Sequence, residues 1–298
     1  MQIIETIAEL RARIADWRRE NPDGTVGFVP TMGYLHEGHA SLIRRSAVEN
    51  GLTIVSVFVN PLQFGPNEDF ERYPRDPGRD RQVSEAAGAD LLFMPSVAEM
   101  YPRPTATRVM IADLTDRLCG ASRPGHFDGV GTVVSKLFHI VMPDKAYFGL
   151  KDAQQVAVIE RMVEDLNFPV RIVPCETVRE PDGLALSSRN VYLNAEERRQ
   201  AVVLYETLKM AEEKFFEPGM TPGELKAAMH AHLKRAPLAE TDYAEVLTWP
   251  HLESPADIPF VQMPPGSRFI AALAVKFGRT RLIDNRLLAT GPAPAGKE

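Results

Sequence analysis

The sequence predicts an α/β fold: a doubly wound parallel sheet followed by a second, smaller α+β domain. Three observations predict it. Leu52 to Asn60 is a near-continuous β-branched run, the pattern of a strand buried on both faces in a parallel sheet. Twice, at Thr25–Val29 and at Ala146–Gly149, a short apolar strand runs straight into a helical pattern. After residue 178 the order changes to helices and then alternating strands, which marks a different layer arrangement. These divide the chain into residues 1–177, residues 178–290 and a Pro- and Gly-rich tail at 291–298 that is expected to be disordered.

Taken in order, a helix is expected over roughly 4–19, with the apolar stripe Ile7, Leu10, Ile14 and Trp17, ending before the turn Asn21-Pro22-Asp23-Gly24. The strand Thr25–Val29 leads to a turn marked by Pro30 and Gly33, then to a helix with apolar Leu35, Leu42 and Ile43 that stops at Asn50-Gly51. After the 52–60 strand come a loop from Asp69 to a helix start near Pro77, a strand at Leu91–Pro95, a proline-rich loop at Tyr101–Thr105 and a strand at Thr107–Ala112. Residues 120–129 read as a glycine-bearing loop, and Val130, Val133, Val134, Leu137, Phe138 and Val141 as the core stripe of the helix behind it, with His139 off that stripe and structural. Val156, Ile159, Met162, Val163 and Leu166 stripe the next helix, before a strand at Val170–Glu176. In the second domain, Asn194-Ala195-Glu196-Glu197 opens a long helix through a capping box, and Thr221-Pro222-Gly223-Glu224 opens another with Pro at its first position. Thr241–Thr248 and Phe269–Val275 alternate as half-exposed antiparallel strands do.

The chemistry-bearing residues cluster where strands end. In Pro30-Thr31-Met32-Gly33-Tyr34-Leu35-His36-Glu37-Gly38-His39, a strand, a glycine turn and a helix start make an anion site, because free backbone N–H groups and the helix dipole face one point. His36 and His39 add imidazole N–H donors, and Gly38 clears room beside the backbone. The plainer readings are a surface i, i+3 pair or two zinc ligands, but no cysteine and no third histidine nearby completes a metal set. Asn60 and Gln63 stand at the next strand end, where they are either ligand groups or a turn residue and a solvated loop residue. Asp80 lies on the helix from Pro77, as a surface carboxylate in preference to a water-mediated magnesium ligand. Arg123 and His126 ride the 120–129 loop, which is either a lid over charged substrate or an ordinary loop whose arginine meets solvent. Gly149-Leu150-Lys151-Asp152-Ala153-Gln154-Gln155 sets a point charge suited to phosphate beside a helix start that Asp152 can cap. Leu186-Ser187-Ser188-Arg189 offers two hydroxyls and a guanidinium fork.

The His-x-Gly-His string resembles the signature of Rossmann-like nucleotidyl-transferring enzymes. The longer Pro-Thr-Met-Gly-x-Leu-His-x-Gly-His resembles the pantothenate synthetases, the pantoate–β-alanine ligases, whose Phe-Val-Asn-Pro-x-Gln-Phe, Gly-x-Lys-Asp and Ser-Ser-Arg segments follow here in the same order. The resemblance implies ATP-dependent ligation of pantoate and β-alanine through a pantoyl-adenylate, with release of AMP and pyrophosphate. It implies catalytic roles for His39, His36 and Lys151, with His39 the stronger and a candidate proton donor. It assigns ATP to Met32, Gly33, Tyr34, Leu35, His36, Glu37, Gly38, His39, Gly149, Leu150, Lys151, Asp152, Val178, Leu186, Ser187, Ser188 and Arg189, and pantoate or β-alanine to Gln63 and Gln155. Magnesium is carried with the nucleotide, no protein metal site is expected, and a homodimer is expected. Leu150, Ala153 and Leu186 depart from the family's usual Glu, aromatic and Met. Two rivals are another His-x-Gly-His nucleotidyltransferase and a nucleotide-binding regulatory protein without turnover.

Composition narrows the class. Of 298 residues, 44% are hydrophobic and 25% charged, as in ordinary globular chains with room for two domains. A net charge of −6 weighs against nucleic acid as a partner. Two cysteines cannot build a disulfide framework, so a cytoplasmic setting is expected. The N-terminal stripe is interrupted by charges, unlike a signal peptide, and no apolar run is long enough to span a bilayer.

Overall fold

The computed structural model describes residues 1–65 and 70–291. The disordered tail expected at 291–298 lies outside them apart from Gly291, as does Asp69, the start of the loop expected before Pro77. The chain divides into two compact units. One comprises Met1–Asp116, Gly120–Leu150 and Gln155–Val178; the other comprises Arg117–Cys119, Lys151–Gln154 and Arg179–Glu298.

The first unit is built on six parallel strands. In chain order the elements through residue 175 are β1 (Gln2–Ile4), α1 (Ile7–Glu20), β2 (Val26–Thr31), α2 (Glu37–Glu49), β3 (Leu52–Val57), α3 (Pro77–Ala86), β4 (Leu91–Phe93), α4 (Val97–Met100), α5 (Leu118–Ser122), α6 (His126–Val141), β5 (Lys145–Gly149), α7 (Ala153–Asp165) and β6 (Arg171–Cys175), the first two residues of α5 and of α7 counting to the second unit. The sheet order is β1-β4-β3-β2-β5-β6, every pair parallel. From β2 the chain runs outward through β3 and β4 on one side, then through β5 and β6 on the other. The carboxyl end of β2 therefore lies at the topological switch point, where open α/β sheets gather their ligands. Val26, Phe28, Val29, Ile54 and Val55 are fully buried, as the β-branched runs required.

Several expected elements differ, each for a visible reason. Gln2–Ile4 is an edge strand on β4, and the first helix starts only at Ile7 because Thr6 caps it, its hydroxyl accepting from Glu9 N–H. Thr107–Ala112 forms no strand. It lies on α6, with Val109 N–H donating to Thr132 Oγ1 at 3.0 Å, and Gly131 makes the room. The 120–129 loop shrinks to the turn between α5 and α6, so Phe127, Asp128 and Gly129 are helical. Leu166, expected on the α7 stripe, lies past the helix end and is exposed.

The second unit packs α8 (Ala195–Gln200), α9 (Val203–Phe215) and α10 (Pro222–Leu233) with the antiparallel strands β7 (Ala239–Thr248), β8 (Arg268–Phe277) and β9 (Thr280–Ala289), ordered β7-β8-β9. Both expected capping boxes form, at Asn194/Glu197 and Thr221/Glu224. The long helix from Asn194 is broken at Ala201 and Val202 into α8 and α9. Central β8 is buried along nearly its whole length instead of alternating, with Ala271, Ala272 and Ala274 small enough for close packing.

Candidate active site

The His-x-Gly-His segment follows β2 directly. Gly33 (φ 85°) and Tyr34 (φ 51°) both take left-handed backbone, which folds the chain back over the strand end. The fold-back is pinned by side chains. Thr31 Oγ1 accepts from Gly33 N–H at 3.2 Å, and the Asp80 carboxylate accepts from the N–H groups of Leu35 (2.7 Å) and Tyr34. Arg79 Nε donates to Leu35 O at 2.8 Å, and its guanidinium lies over the Tyr34 ring at 4.8 Å. A Cβ at Gly33 would stand 2.9 Å from Asp80 Oδ2, so the glycine admits the carboxylate. Asp80 is therefore not a surface group: it is 2% exposed, on the inner face of α3. Burial pushes its acid up, while the two N–H bonds oppose that shift.

His36 and His39 cap α2 reciprocally. His36 Nδ1 accepts from Gly38 N–H at 3.1 Å, and His39 Nδ1 accepts from His36 N–H at 3.3 Å. A backbone N–H can only donate, so each Nδ1 is a bare acceptor and each neutral ring carries its proton on Nε2. The rings stand 4.1 Å apart, tilted by 46°. Gly38 makes room for its own neighbour, since a Cβ there would lie 2.8 Å from the His36 ring. The N–H groups of Gly33, Tyr34, Leu35, His36 and Gly38 are bonded to side chains, those of Tyr34 and Leu35 to Asp80 on α3 and the others within the segment, so they do not stand as free donors in this structure. Glu37 opens the helix and pairs with Arg44.

At the end of β3, Asn60 is 1% and Gln63 7% exposed, so neither is a solvated loop residue. Asn60 Oδ1 accepts from Leu62 N–H (3.3 Å) and Tyr101 Oη (2.9 Å), and its Nδ2 donates to Gly129 O (3.1 Å) and Gln63 Oε1 (3.2 Å). Gln63 Nε2 donates to Met32 Sδ at 3.0 Å. The Gln63 carbonyl accepts from His126 Nδ1 at 2.8 Å and Arg123 at 3.4 Å, and Arg123 donates to His126 Nε2. Arg123 thus braces the Gln63 turn and does not simply meet solvent. Gly149 ends β5 with nothing within 4 Å of where its Cβ would stand. Leu150, Gln155 and Val178 are half-buried in this same unit.

The remaining site residues belong to the second unit. Lys151 Nζ lies 3.5 Å from Asp152 Oδ2, and Lys151 O accepts from Asn285 Nδ2 at 2.9 Å. Leu186 leads into a turn over Ser188–Tyr192, capped by Ser187 Oγ, which accepts from Arg189 N–H at 3.2 Å. Below that turn, Arg179 grips Asp284 through two bonds of 2.7 and 3.0 Å. Among the described residues no group of three His, Cys, Asp or Glu could hold a metal, and no helix is long and apolar enough to cross a membrane. Sequence reading missed the Asp80–Arg79 clasp, the Tyr101 bond and the Arg179–Asp284 anchor. Each joins residues more than 40 positions apart, and no local spacing announces them.

A parallel sheet that brings two cross-capped imidazoles to its switch point defines an α/β enzyme of the His-x-Gly-His class. Comparison narrows the class. A family model described as pantoate-beta-alanine ligase matches residues 2–287. The pantothenate synthetase of Geobacillus thermodenitrificans is 51% identical over 97% of this chain and 96% of its own, and that of Thermotoga neapolitana 52% identical over 97% and 100%. The crystal structure of pantothenate synthetase from Thermus thermophilus matches with a TM-score of 0.87 at 48% identity, over 98% of this chain and 100% of that one. A pantoate-beta-alanine ligase from Francisella tularensis, complexed with beta-gamma ATP and beta-alanine, matches with a TM-score of 0.76 at 35% identity, over 96% and 97%. The chain belongs to the pantoate–β-alanine ligase family, and its reaction is the ligation that forms pantothenate.

Proposed function

We propose that this ligase works at the expense of ATP in two steps, with pantoate attacking the α-phosphorus to give pantoyl-adenylate and β-alanine then displacing AMP. A carboxylate does not accept an amine, because its oxygen is a poor leaving group; adenylation converts that oxygen into part of a phosphate leaving group. The observation that carries the reading is the reciprocal capping of His36 and His39, which orients both Nε2–H donors before any nucleotide arrives. In the first step charge moves onto the pentacoordinate phosphorus and the departing pyrophosphate. His39, then His36 and Lys151, are assigned to that charge, and His39 to a proton transfer.

In the first unit, Met32, Gly33, Tyr34, Leu35, Glu37, Gly38, Gly149, Leu150 and Val178 are assigned to the nucleotide's surroundings, and Gln63 and Gln155 to pantoate or β-alanine. In the second unit, Asp152, Leu186, Ser187, Ser188 and Arg189 are assigned to ATP. Neutral amides suit the acid. They orient a carboxylate and leave its charge available for attack, where an arginine clamp would blunt it. Magnesium is assigned to the nucleotide's phosphates, as the family resemblance implies. The reading extends to a cytoplasmic homodimer that works without nucleic acid, in keeping with a net charge of −6. Residues 1–177 act as the nucleotide- and pantoate-binding domain and residues 178–290 as the smaller partner domain.

Isotope exchange tests the first step. Pantoate should drive exchange of labelled pyrophosphate into ATP without β-alanine. No exchange, with ligation intact, would exclude the adenylate; neither exchange nor ligation would favour the rival nucleotidyltransferase or a regulatory role.

A further inference from the structure

The Gln63 amide can face the acid with either its NH2 group or its oxygen, and the two are opposite in sign. The backbone around Asn60 decides between them. Leu62 N–H can only donate and Gly129 C=O can only accept. Their bonds to Asn60, at 3.3 and 3.1 Å, fix Oδ1 on one side and Nδ2 on the other. The second hydrogen on Nδ2 then needs an acceptor, and at 3.2 Å that is Gln63 Oε1. Gln63 Nε2 is thereby turned the other way, where it meets the Met32 thioether, a weak acceptor that a carboxylate oxygen outcompetes. Since Asn60 Oδ1 only accepts, Tyr101 must be the donor in the 2.9 Å bond between them. Tyr101 closes the chain of donors from outside the Gln63 turn.

We propose that Tyr101 is a positioning residue for the acid: acting through Asn60, it holds the Gln63 amide with its NH2 group presented to pantoate. The proposal rests on the assignment of Gln63 to pantoate. Burial pushes the Tyr101 phenol up to about 12, so it keeps the proton it donates at any pH at which the enzyme is assayed. The ring itself has other work. It stands 6.0 Å from the Phe58 ring and 5.7 Å from the Lys136 ammonium, so phenylalanine keeps both contacts and loses only the hydroxyl.

The test is a double-mutant cycle of Tyr101→Phe and Gln63→Ala, with KM for pantoate, KM for ATP and kcat measured in each enzyme and thermal melts confirming folding. Tyr101→Phe should raise KM for pantoate about three- to tenfold, the size of one net hydrogen bond, with KM for ATP and kcat within about twofold. That rise should vanish in the Gln63→Ala background, because the hydroxyl acts only through the amide. The proposal is overturned if Tyr101→Phe leaves KM for pantoate unchanged, if both KM values rise together, or if the rise persists undiminished without Gln63. A Gln63→Ala enzyme with normal KM for pantoate would instead overturn the assignment of Gln63 itself.

Discussion

Between β2 and α2, the N–H groups of Gly33, Tyr34, Leu35, His36 and Gly38 all bond to side chains, two of them to an aspartate some 45 positions away. The serine–arginine segment of the second unit is held differently. Its bonds are local: Leu184 N–H to Asp182, Arg189 N–H to Ser187 and Asn190 Nδ2 to Ala185 O span five residues or fewer. Its base is anchored at longer range, by Arg179 on Asp284 with the guanidinium 5.0 Å from the Tyr205 ring, and by Arg198 on Asp182 at 2.7 Å. The first loop is tied to helix α3 through Asp80 as well as by local bonds. Those bonds along the second, from Leu184 to Asn190, reach no further than five residues. We read the first as a preorganised charge stabiliser and the second as a segment that completes its order with its ligand.

This contrast can be broken at its strongest point first. His39→Ala removes one oriented donor and the cap on His36 N–H, so turnover should fall at least ~100-fold, while the lost cap costs only about 1 kcal/mol and the fold survives. Steady-state kinetics with a denaturant melt would check both halves. Asp80→Ala leaves two loop N–H groups without their acceptor, a penalty of about 1–3 kcal/mol each, and kcat should drop roughly tenfold as the imidazoles lose their register. Asp80→Asn keeps an acceptor and should lie between. It also carries a pH signature. Burial raises the acid of Asp80 in the fold, so its favourable contribution is present below the ordinary carboxylate range and declines as pH rises through the folded value. The stability advantage of wild type over Asp80→Asn should therefore narrow as pH rises above the ordinary carboxylate range, measured by urea midpoints; a widening gap would contradict the burial argument. The smallest effect belongs to the second loop. Ser187→Ala removes a turn cap and a hydroxyl, and should raise KM for ATP about threefold with little change in melting temperature.

Much of this molecule was legible before any coordinates. The 52–60 run announced a buried parallel strand, and the 130–141 stripe a core helix, because burial on two faces or one writes itself into apolar spacing. The strand, turn and helix start of the His-x-Gly-His segment were legible because its turn and capping residues lie close together in sequence. What escaped was set at a distance. Thr107–Ala112 has strand composition, yet it packs on α6 with Val109 N–H bonded to Thr132 and pairs with no strand. β8 reads as alternating, yet its central place buries both faces. Asp80 sits on a helix like any surface carboxylate, and only the fold brings Leu35 to it. Asn60 and Gln63 drew attention by their place at a strand end. Their polarity could not be read, because it depends on a carbonyl at Gly129.

Gly129 sets a limit on how the enzyme's substrate scope can be engineered. A Cβ there would come within 2.3 Å of Leu62 O, so helix α6 and the Asn60–Gln63 turn are fitted to each other's backbone. On the proposed assignment of Gln63 to the acid, trimming Gln63 alone would discard that amide without relocating the wall that carries it. A larger hydroxy acid would call for a redesigned α6 and turn selected together, as one inseparable module.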